Sequence, residues 1–283
     1  MPTETVYGIA ADATNARAVQ KTFDVKGRPA DNPLIVHVAH LAQAEELVTQ
    51  LAGPARALAE AFWPGPLTIV LPKRAWVPDA VTAGLDTVAV RIPDHPVALR
   101  LIDEVGRPLS APSANPFMGL SPTRAEDVEA GLAAKLAMVL DGGACTVGLE
   151  STVVDFVGEE FRVLRPGAVT RAMLAEVVAE STGEVRDTAR RSPGLYPRHY
   201  APKTKMILVE SLSPDDAGLS LRKSLSGRQI QMPSEPGAYG VSLYASLHRL
   251  DAQNPDRIAV ERPPTTPEWE AVWDRLRKAS GEA

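Results

Sequence analysis

Apolar positions along the chain follow two rhythms, one of period 3.6 and one of short continuous runs, and the switches between them mark the elements. Residues 15–25 carry helical spacing behind Thr14, which predicts an N-cap there. The run at 34–38 predicts a buried strand, entered through a loop stiffened by Pro29 and Pro33. Residues 41–51 and 54–62 predict two amphipathic helices split at Gly53-Pro54. Strands are expected at 67–71 and 87–92, a helix at 96–105, and a strand end at Leu109 before a polar turn. Thr123 with Glu126 predicts a capping box for a helix running to about Lys135. Strands at 136–140, 151–157 and 161–164 and a helix at 170–180 complete this part. The alternation predicts one α/β domain around a twisted mixed sheet over residues 1–180.

Periodicity stops at 181–203, where Pro193, Pro197 and Pro202 predict a linker. Beyond it, 206–209 and 257–260 read as buried strands, and Leu243, Leu247 and Leu250 mark a helix. Thr266-Pro267 starts a last helix with Trp269, Val272, Trp273 and Leu276 on one face. Residues 233–240, PSEPGAYG, read as a replacement of regular structure by loop. The whole of 204–283 is expected to form a small α/β domain.

Composition narrows the class. With 283 residues, 45% hydrophobic and 23% charged, the chain has room for a large domain and a small one. Its single cysteine, Cys145, excludes a disulfide framework and a cysteine-based zinc site and fits a reducing cytoplasm. Residues 1–180 hold 15 Lys/Arg against 22 Asp/Glu, net −7, while 181–283 hold 15 against 13, net +2. That balance argues against a general nucleic-acid coat and leaves room for a local basic cleft. No signal peptide and no apolar membrane span is expected.

No GxxxxGK, GxGxxG, HExxH or GxSxG occurs, so common phosphate-loop, dinucleotide, zinc-protease and serine-hydrolase sites are excluded by pattern. The polar candidates sit instead at strand ends and adjoining turns, where an open α/β sheet binds ligands. They are Thr5 with Tyr7; Lys26, Arg28, Asn32 and His37; Thr87 and Arg91; Ser113, Asn115 and Ser121; Ser151 with Thr152; and Arg165. Four cations among hydroxyl and amide donors, with no metal-ligand trio, suit a polyanion such as a nucleoside triphosphate.

The ordered motifs PTETVYG, KGRP..NPL.VH, VAVRIPDHP, SAPSAN, STVVDF and VLRPG resemble the YrdC-like L-threonylcarbamoyladenylate synthase family. The SPGLYPRHYAP linker and the tail LYASLHRLD..NPDRIAVE with W.AVWDRLRKAS resemble its longer, two-domain form. The resemblance implies an open α/β domain with a concave cleft and a small Rossmann-like second domain. It implies a nucleotidyltransferase that joins L-threonine, bicarbonate and ATP, with Mg²⁺, into threonylcarbamoyl-AMP and pyrophosphate. A tRNA-modifying transferase complex would then use the product beside the anticodon, with direct contact to tRNA or double-stranded RNA open. Carried over residue by residue, threonine contacts fall on Thr5, His37, Arg91, Ala111 through its backbone, and Ser151. ATP contacts fall on Arg28, Asn32, Thr87, Ser113, Ser121 and Arg165, with His199 and Tyr200 of the linker folded over the nucleotide. Lys26, Arg28, Ser113 and Asn115 form the pairs that mark the family and are the expected catalytic set.

This chain departs from the family in starting one residue ahead of PTET, where members carry a further strand and helix, and in a short second domain. Two rival readings stand beside the enzyme. One is an α/β module that holds double-stranded RNA or tRNA without catalysis, distinguished by steep salt dependence. The other is a carbamoyl-transfer domain for metallocentre assembly, whose usual cysteine-rich zinc segments a single cysteine cannot supply.

Overall fold

The computed structural model describes residues 1–181, 198–222 and 226–282. In chain order the first lobe contains β1 (Ala11–Asp12), α1 (Ala16–Lys26), β2 (Ile35–His37), α2 (Leu41–Leu47), α3 (Gly53–Phe62) and β3 (Leu67–Pro72). It continues with α4 (Asp79–Thr82), β4 (Thr87–Arg91), α5 (Pro96–Val105), β5 (Leu109–Ser110), a 3₁₀ turn (Ala125–Asp127) and α6 (Ala130–Ala133). β6 (Thr152–Val157), β7 (Glu160–Arg165) and α7 (Arg171–Ala175) close it. The second lobe has β8 (Met206–Val209), β9 (Ala217–Ser220), β10 (Gln229–Gln231), α8 (Pro236–Asp251), β11 (Ile258–Glu261), a 3₁₀ turn (Pro267–Trp269) and α9 (Glu270–Ser280).

The first sheet has the order β1-β5-β2-β4-β3-β6-β7 and is mixed: β2 pairs with β4 and β3 with β6 in parallel, and the other neighbours are antiparallel. Side chains alternate across it. Val36, Val88, Val90, Leu67, Ile69, Leu71 and Val154 point into the main core, which α1, α2 and α3 cover with Val19, Phe23, Leu47, Leu58 and Ala59. The opposite face carries only a thin apolar patch of Ile35, Val70, Ala89 and Val153. His37, Thr68, Thr87 and Arg91 lie on this same face, which holds the site.

The second sheet, β10-β9-β11-β8, is parallel throughout, as expected of a small Rossmann-like lobe. Its core joins Leu219, Ile258 and Val260 to Leu243, Leu247, Trp269, Val272 and Leu276, and it also takes in Val6, Leu120 and Leu149 from the first lobe. The two lobes therefore share apolar contact. At the seam Gly148 has φ +75°, and a Cβ there would lie 2.5 Å from Val241 Cα, so α8 approaches to a distance that glycine permits.

Several local expectations need correction. Asn15, not Thr14, caps α1, accepting from Arg17 and Ala18 N–H. Thr123 N–H and hydroxyl both donate to Asp127, so Asp127 takes the place foreseen for Glu126, and the helix to Lys135 is reduced to the 3₁₀ turn and α6. Residues 136–140 form no strand: Met138 is 70% exposed, and no strand among the described residues lies alongside to satisfy the backbone. The helix foreseen to Glu180 ends at Ala175. Pro236 to Gly240, read as loop, is instead the first turn of α8, where proline at the start of a helix loses no hydrogen bond. Of the linker motif, residues 192–197 lie outside the described residues.

Candidate active site

β2 and β4 run in parallel and end together, with His37 opposite Arg91 on the open face. Arg91 is buried at the centre. Its Nε donates to the Gly65 carbonyl at 3.1 Å and its Nη1 to Thr5 Oγ1 at 2.9 Å. Nη2 lies 2.5 Å from Glu4 Oε1, a charge contact off the donor axis that leaves this nitrogen without an aligned acceptor. Thr5 is fixed by Thr3, whose hydroxyl lies 2.8 Å from Thr5 Oγ1 and donates to the Val6 carbonyl. The segment carrying these threonines is locked to the polar turn by Ala114 N–H to Tyr7 O and by a bridge between Gly8 and Ser113.

A small cavity of about 50 Å³ lies over this arrangement. Thr5, His37, Arg91, Ala111 and Ser151 border it, as do Arg28, Ser113, Arg165, His199 and Tyr200. All five residues expected at threonine are thus together, with five of those expected at ATP or in the linker. Arg28 is held by the carbonyls of Asn32 (3.2 Å) and Pro33 (3.0 Å), and Arg165 by the Ser151 carbonyl (3.1 and 2.9 Å). The Ser151 hydroxyl lies 2.7 Å from Thr68 Oγ1.

Other expected residues stand behind the wall. Lys26 is buried and donates its ammonium to the carbonyls of Ser113 and Asn115, bracing the SAPSAN turn from beneath. Burial, then the neighbouring Arg28 charge, push its pKa well below the ordinary lysine value. Asn115 donates to the Pro116 and Gly119 carbonyls at 2.8 and 2.9 Å and borders a larger open cleft of about 1,150 Å³ between the lobes. Ser121 is turned to Glu150, and Thr152 donates to the Val169 carbonyl in the core. Tyr7 donates to the Gly143 carbonyl away from the cavity. Thr87 shares the open face with Arg91 but begins β4, so it sits about 13 Å away along the strand.

Residues 198–203 form a strap between cavity and cleft. His199 N–H donates to the Lys278 carbonyl and Ala201 N–H to the Met118 carbonyl, which pins the strap to both lobes. The His199 ring packs edge-on to Phe117 and Tyr200. Tyr200 is wholly buried at φ +59°, a strained conformation for a tyrosine.

Sequence reasoning missed Glu4, Thr3 and Glu150. Glu150 is buried on the cavity wall, and its carboxylate accepts from Ser121 Oγ at 2.5 Å, Tyr244 OH at 3.0 Å and Arg275 Nε at 2.8 Å. Burial works to raise its pKa, but the charges of Arg275 and Arg165 and the hydrogen bonds prevail and hold it down at about 2. A glutamate directly before a strand reads as a surface residue, so nothing local flagged it.

Electrostatically the cavity faces Arg28, Arg91 and Arg165. Its histidines are neutral: burial, then the Arg91 charge, push His37 down to about 3, and burial does the same for His199. Among the described residues, buried polar atoms lacking a hydrogen-bond partner include both side-chain termini of Asn32, His37 Nδ1, Arg91 Nη2, Asn115 Oδ1, His199 Nδ1 and the Tyr200 hydroxyl. Four of these residues, His37, Arg91, His199 and Tyr200, border the cavity, and because buried polar groups are normally satisfied they suit a polar ligand there. No three His, Cys, Asp or Glu side chains among the described residues gather to hold a metal, and the oxygens of Glu150 are already engaged. This residue set does not fit a protein-held Mg²⁺.

Fold and site together define an open-faced α/β protein with a small polar cavity, bordered by three arginines and by an interlobe strap. The comparisons make that class specific. Residues 1–167 match the family described as Telomere recombination, and residues 169–281 match the threonylcarbamoyl-AMP synthase C-terminal domain. The threonylcarbamoyl-AMP synthases of Pyrococcus abyssi and Bacillus subtilis are 39% and 38% identical to this chain, over 99% of it and 89% and 88% of their own lengths. The crystal structure of P. abyssi Sua5 complexed with L-threonine superposes with a TM-score of 0.86 at 37% identity, covering 99% of this chain and 89% of that one. The chain belongs to the threonylcarbamoyl-AMP synthase family. No helix among the described residues is long and apolar enough to cross a membrane.

Proposed function

We propose that this chain is a nucleotidyltransferase that makes threonylcarbamoyl-AMP from L-threonine, bicarbonate and ATP. The observation that carries the reading is the convergence of three arginines with His37, His199 and Tyr200 on one small cavity. The L-threonine carboxylate pairs with Arg91, whose guanidinium Thr5 and the Gly65 carbonyl hold in place. The threonine hydroxyl bonds to a polar group of the pocket, and an amino acid without that hydroxyl leaves the group unpaired and is rejected. His37, neutral at physiological pH, accepts from the amine.

The amine nitrogen forms an N–C bond to the carbon of bicarbonate as a C–OH bond breaks, and the departing hydroxyl takes one amine proton to leave as water. A carbamate oxygen of the product attacks the α-phosphorus of ATP, forming a P–O bond while the bond to pyrophosphate breaks. No strong base is required once the carbamate is an anion, and the neutral histidines are consistent with that. Arg28 and Arg165 reduce the repulsion between the two anions and, with Ser113, receive the phosphates. Mg²⁺ enters with the triphosphate as part of the nucleotide substrate. The cavity is well below the roughly 300 Å³ of a typical ligand pocket, so the nucleotide enters from the open cleft as the strap moves. The activated product passes to a tRNA-modifying transferase in the cytoplasm.

Pyrophosphate release by the whole chain with MgATP and bicarbonate tests this reading. Release that depends on L-threonine, and is weaker with L-serine and L-valine, supports it; release indifferent to the amino acid refutes it.

A further inference from the structure

The second lobe grips the cavity wall chiefly through Arg275. Arg275 of α9 is 1% exposed, although it lies on the apolar face that also presents Val272 and Leu276. Its Nε donates to Glu150 Oε2 at 2.8 Å, Nη2 to the Glu150 carbonyl at 3.2 Å, and Nη1 to the Pro166 carbonyl at 2.8 Å. Asp274 Oδ2 shares Nη1, and the guanidinium lies 5.1 Å from the centre of the Tyr200 ring. The two carbonyls belong to the neighbours of Ser151 and Arg165, which are themselves joined through the Ser151 carbonyl. Tyr244 of α8 adds a second anchor on Glu150 at 3.0 Å, and His248 of the same helix lies 3.1 Å from the Ser121 carbonyl.

A buried ion pair is a costly way to join two lobes when apolar residues of similar volume do as well or better. What an apolar residue cannot do is hold two loop carbonyls, a carboxylate and an aromatic ring in fixed relation. The planar fork of arginine does this, and lysine does not. Tyr200 gains a further constraint: its hydroxyl has no partner among the described residues and its backbone is strained, so the packing of its ring against Arg275 and Tyr244 holds it in place.

We propose that Arg275 is a positioning residue through which the second lobe sets the Ser151–Arg165 wall and seats the Tyr200 strap over the reaction cavity. The proposal rests on the synthase reading for its kinetic consequence, but the seating of the strap does not. Arg275 touches no substrate; it acts through Glu150, Pro166 and Tyr200. Removal of the fork unseats the strap and lets nucleotide leave, while Thr5, His37 and Arg91 on the far wall keep their own hydrogen bonds.

The test uses the full chain with Arg275→Lys, which keeps the charge opposite Glu150, and Tyr244→Phe, a milder loosening of the same anchor. Amide hydrogen exchange without substrates reports the strap directly. In Arg275→Lys the amides of His199 and Ala201 are expected to exchange at least about tenfold faster, with the β2 and β4 amides unchanged. The KM for ATP is expected to rise about tenfold or more, with the Kd for L-threonine within about threefold of wild type. Tyr244→Phe is expected to move both readouts in the same direction by less. Strap exchange at the wild-type rate in a folded Arg275→Lys protein overturns the proposal, as do losses in both variants that follow the melting temperature and affect all amides alike. If wild type releases no pyrophosphate, the synthase reading fails, and the exchange measurement still decides whether Arg275 seats the strap.

Discussion

Replacing Glu150 by Gln keeps the shape of the interlobe anchor and removes its charge. The carboxyl is held at about 2 in the folded chain against an ordinary 4.5. A difference of 2 to 3 pKa units corresponds to roughly 3 kcal/mol of stability that belongs to the ionised form. An independent argument gives a similar size: breaking a buried ion pair from one side costs about 3–5 kcal/mol. Asp274 remains on Nη1 of Arg275, so the lower end applies. Because the folded pKa is depressed, the contribution is complete above about 4.5 and is lost as pH falls towards 2. Urea unfolding followed by the fluorescence of Trp269 and Trp273, both buried in the second lobe, measures it. Glu150→Gln is expected to lose about 3 kcal/mol at pH 7, the gap to wild type staying constant down to pH 5 and narrowing below. A loss under about 1 kcal/mol, or a gap that widens in acid, refutes the account of this pair.

Further outcomes follow from the same contacts. Arg91→Lys is expected to weaken L-threonine binding by about a hundredfold in calorimetry, since lysine cannot serve Gly65, Thr5 and a carboxylate from one planar fork. Gly148→Ala places a methyl group against Val241 at a positive φ and is expected to cost about 2 kcal/mol or more in urea unfolding. His37 refuses a proton that the unfolded chain accepts below about 6.5, so its folded pKa of about 3 makes stability fall as pH drops through 6.5. His37→Asn is expected to flatten that part of the melting-temperature profile between pH 8 and 5.5.

The main architecture was legible because its signals are local. Runs such as 67–71 are short, apolar and bounded by prolines and glycines, so strands appear where expected. The cations were legible too, since Arg91 and Arg165 end strands and Arg28 follows a helix, positions where an open sheet gathers ligand contacts. Apolarity alone misled at 136–140, where strand character has no adjacent strand among the described residues to pair with. β9 escaped notice because Ala217-Gly218-Leu219-Ser220 lacks β-branched residues, and Gly218 is small because the backbone of Ala259 lies beside it. The interlobe anchor was the least legible part. Glu150 and Arg275 meet across 125 residues of sequence, and each alone reads as a solvated charge. Arg275 carried one signal, its place three residues after Val272 on the buried face of the last helix.

The central claim is that one cavity joins the amine of L-threonine to bicarbonate carbon and then to the α-phosphate of ATP. Mass spectrometry of the nucleotide product after incubation with ¹³C-bicarbonate, L-threonine and MgATP tests it most directly. The account predicts an AMP adduct that carries the threonine mass and a single ¹³C, lost when Arg91 is replaced by Ala. An adduct without the label, or AMP and ADP alone from a folded and threonine-binding protein, would contradict it.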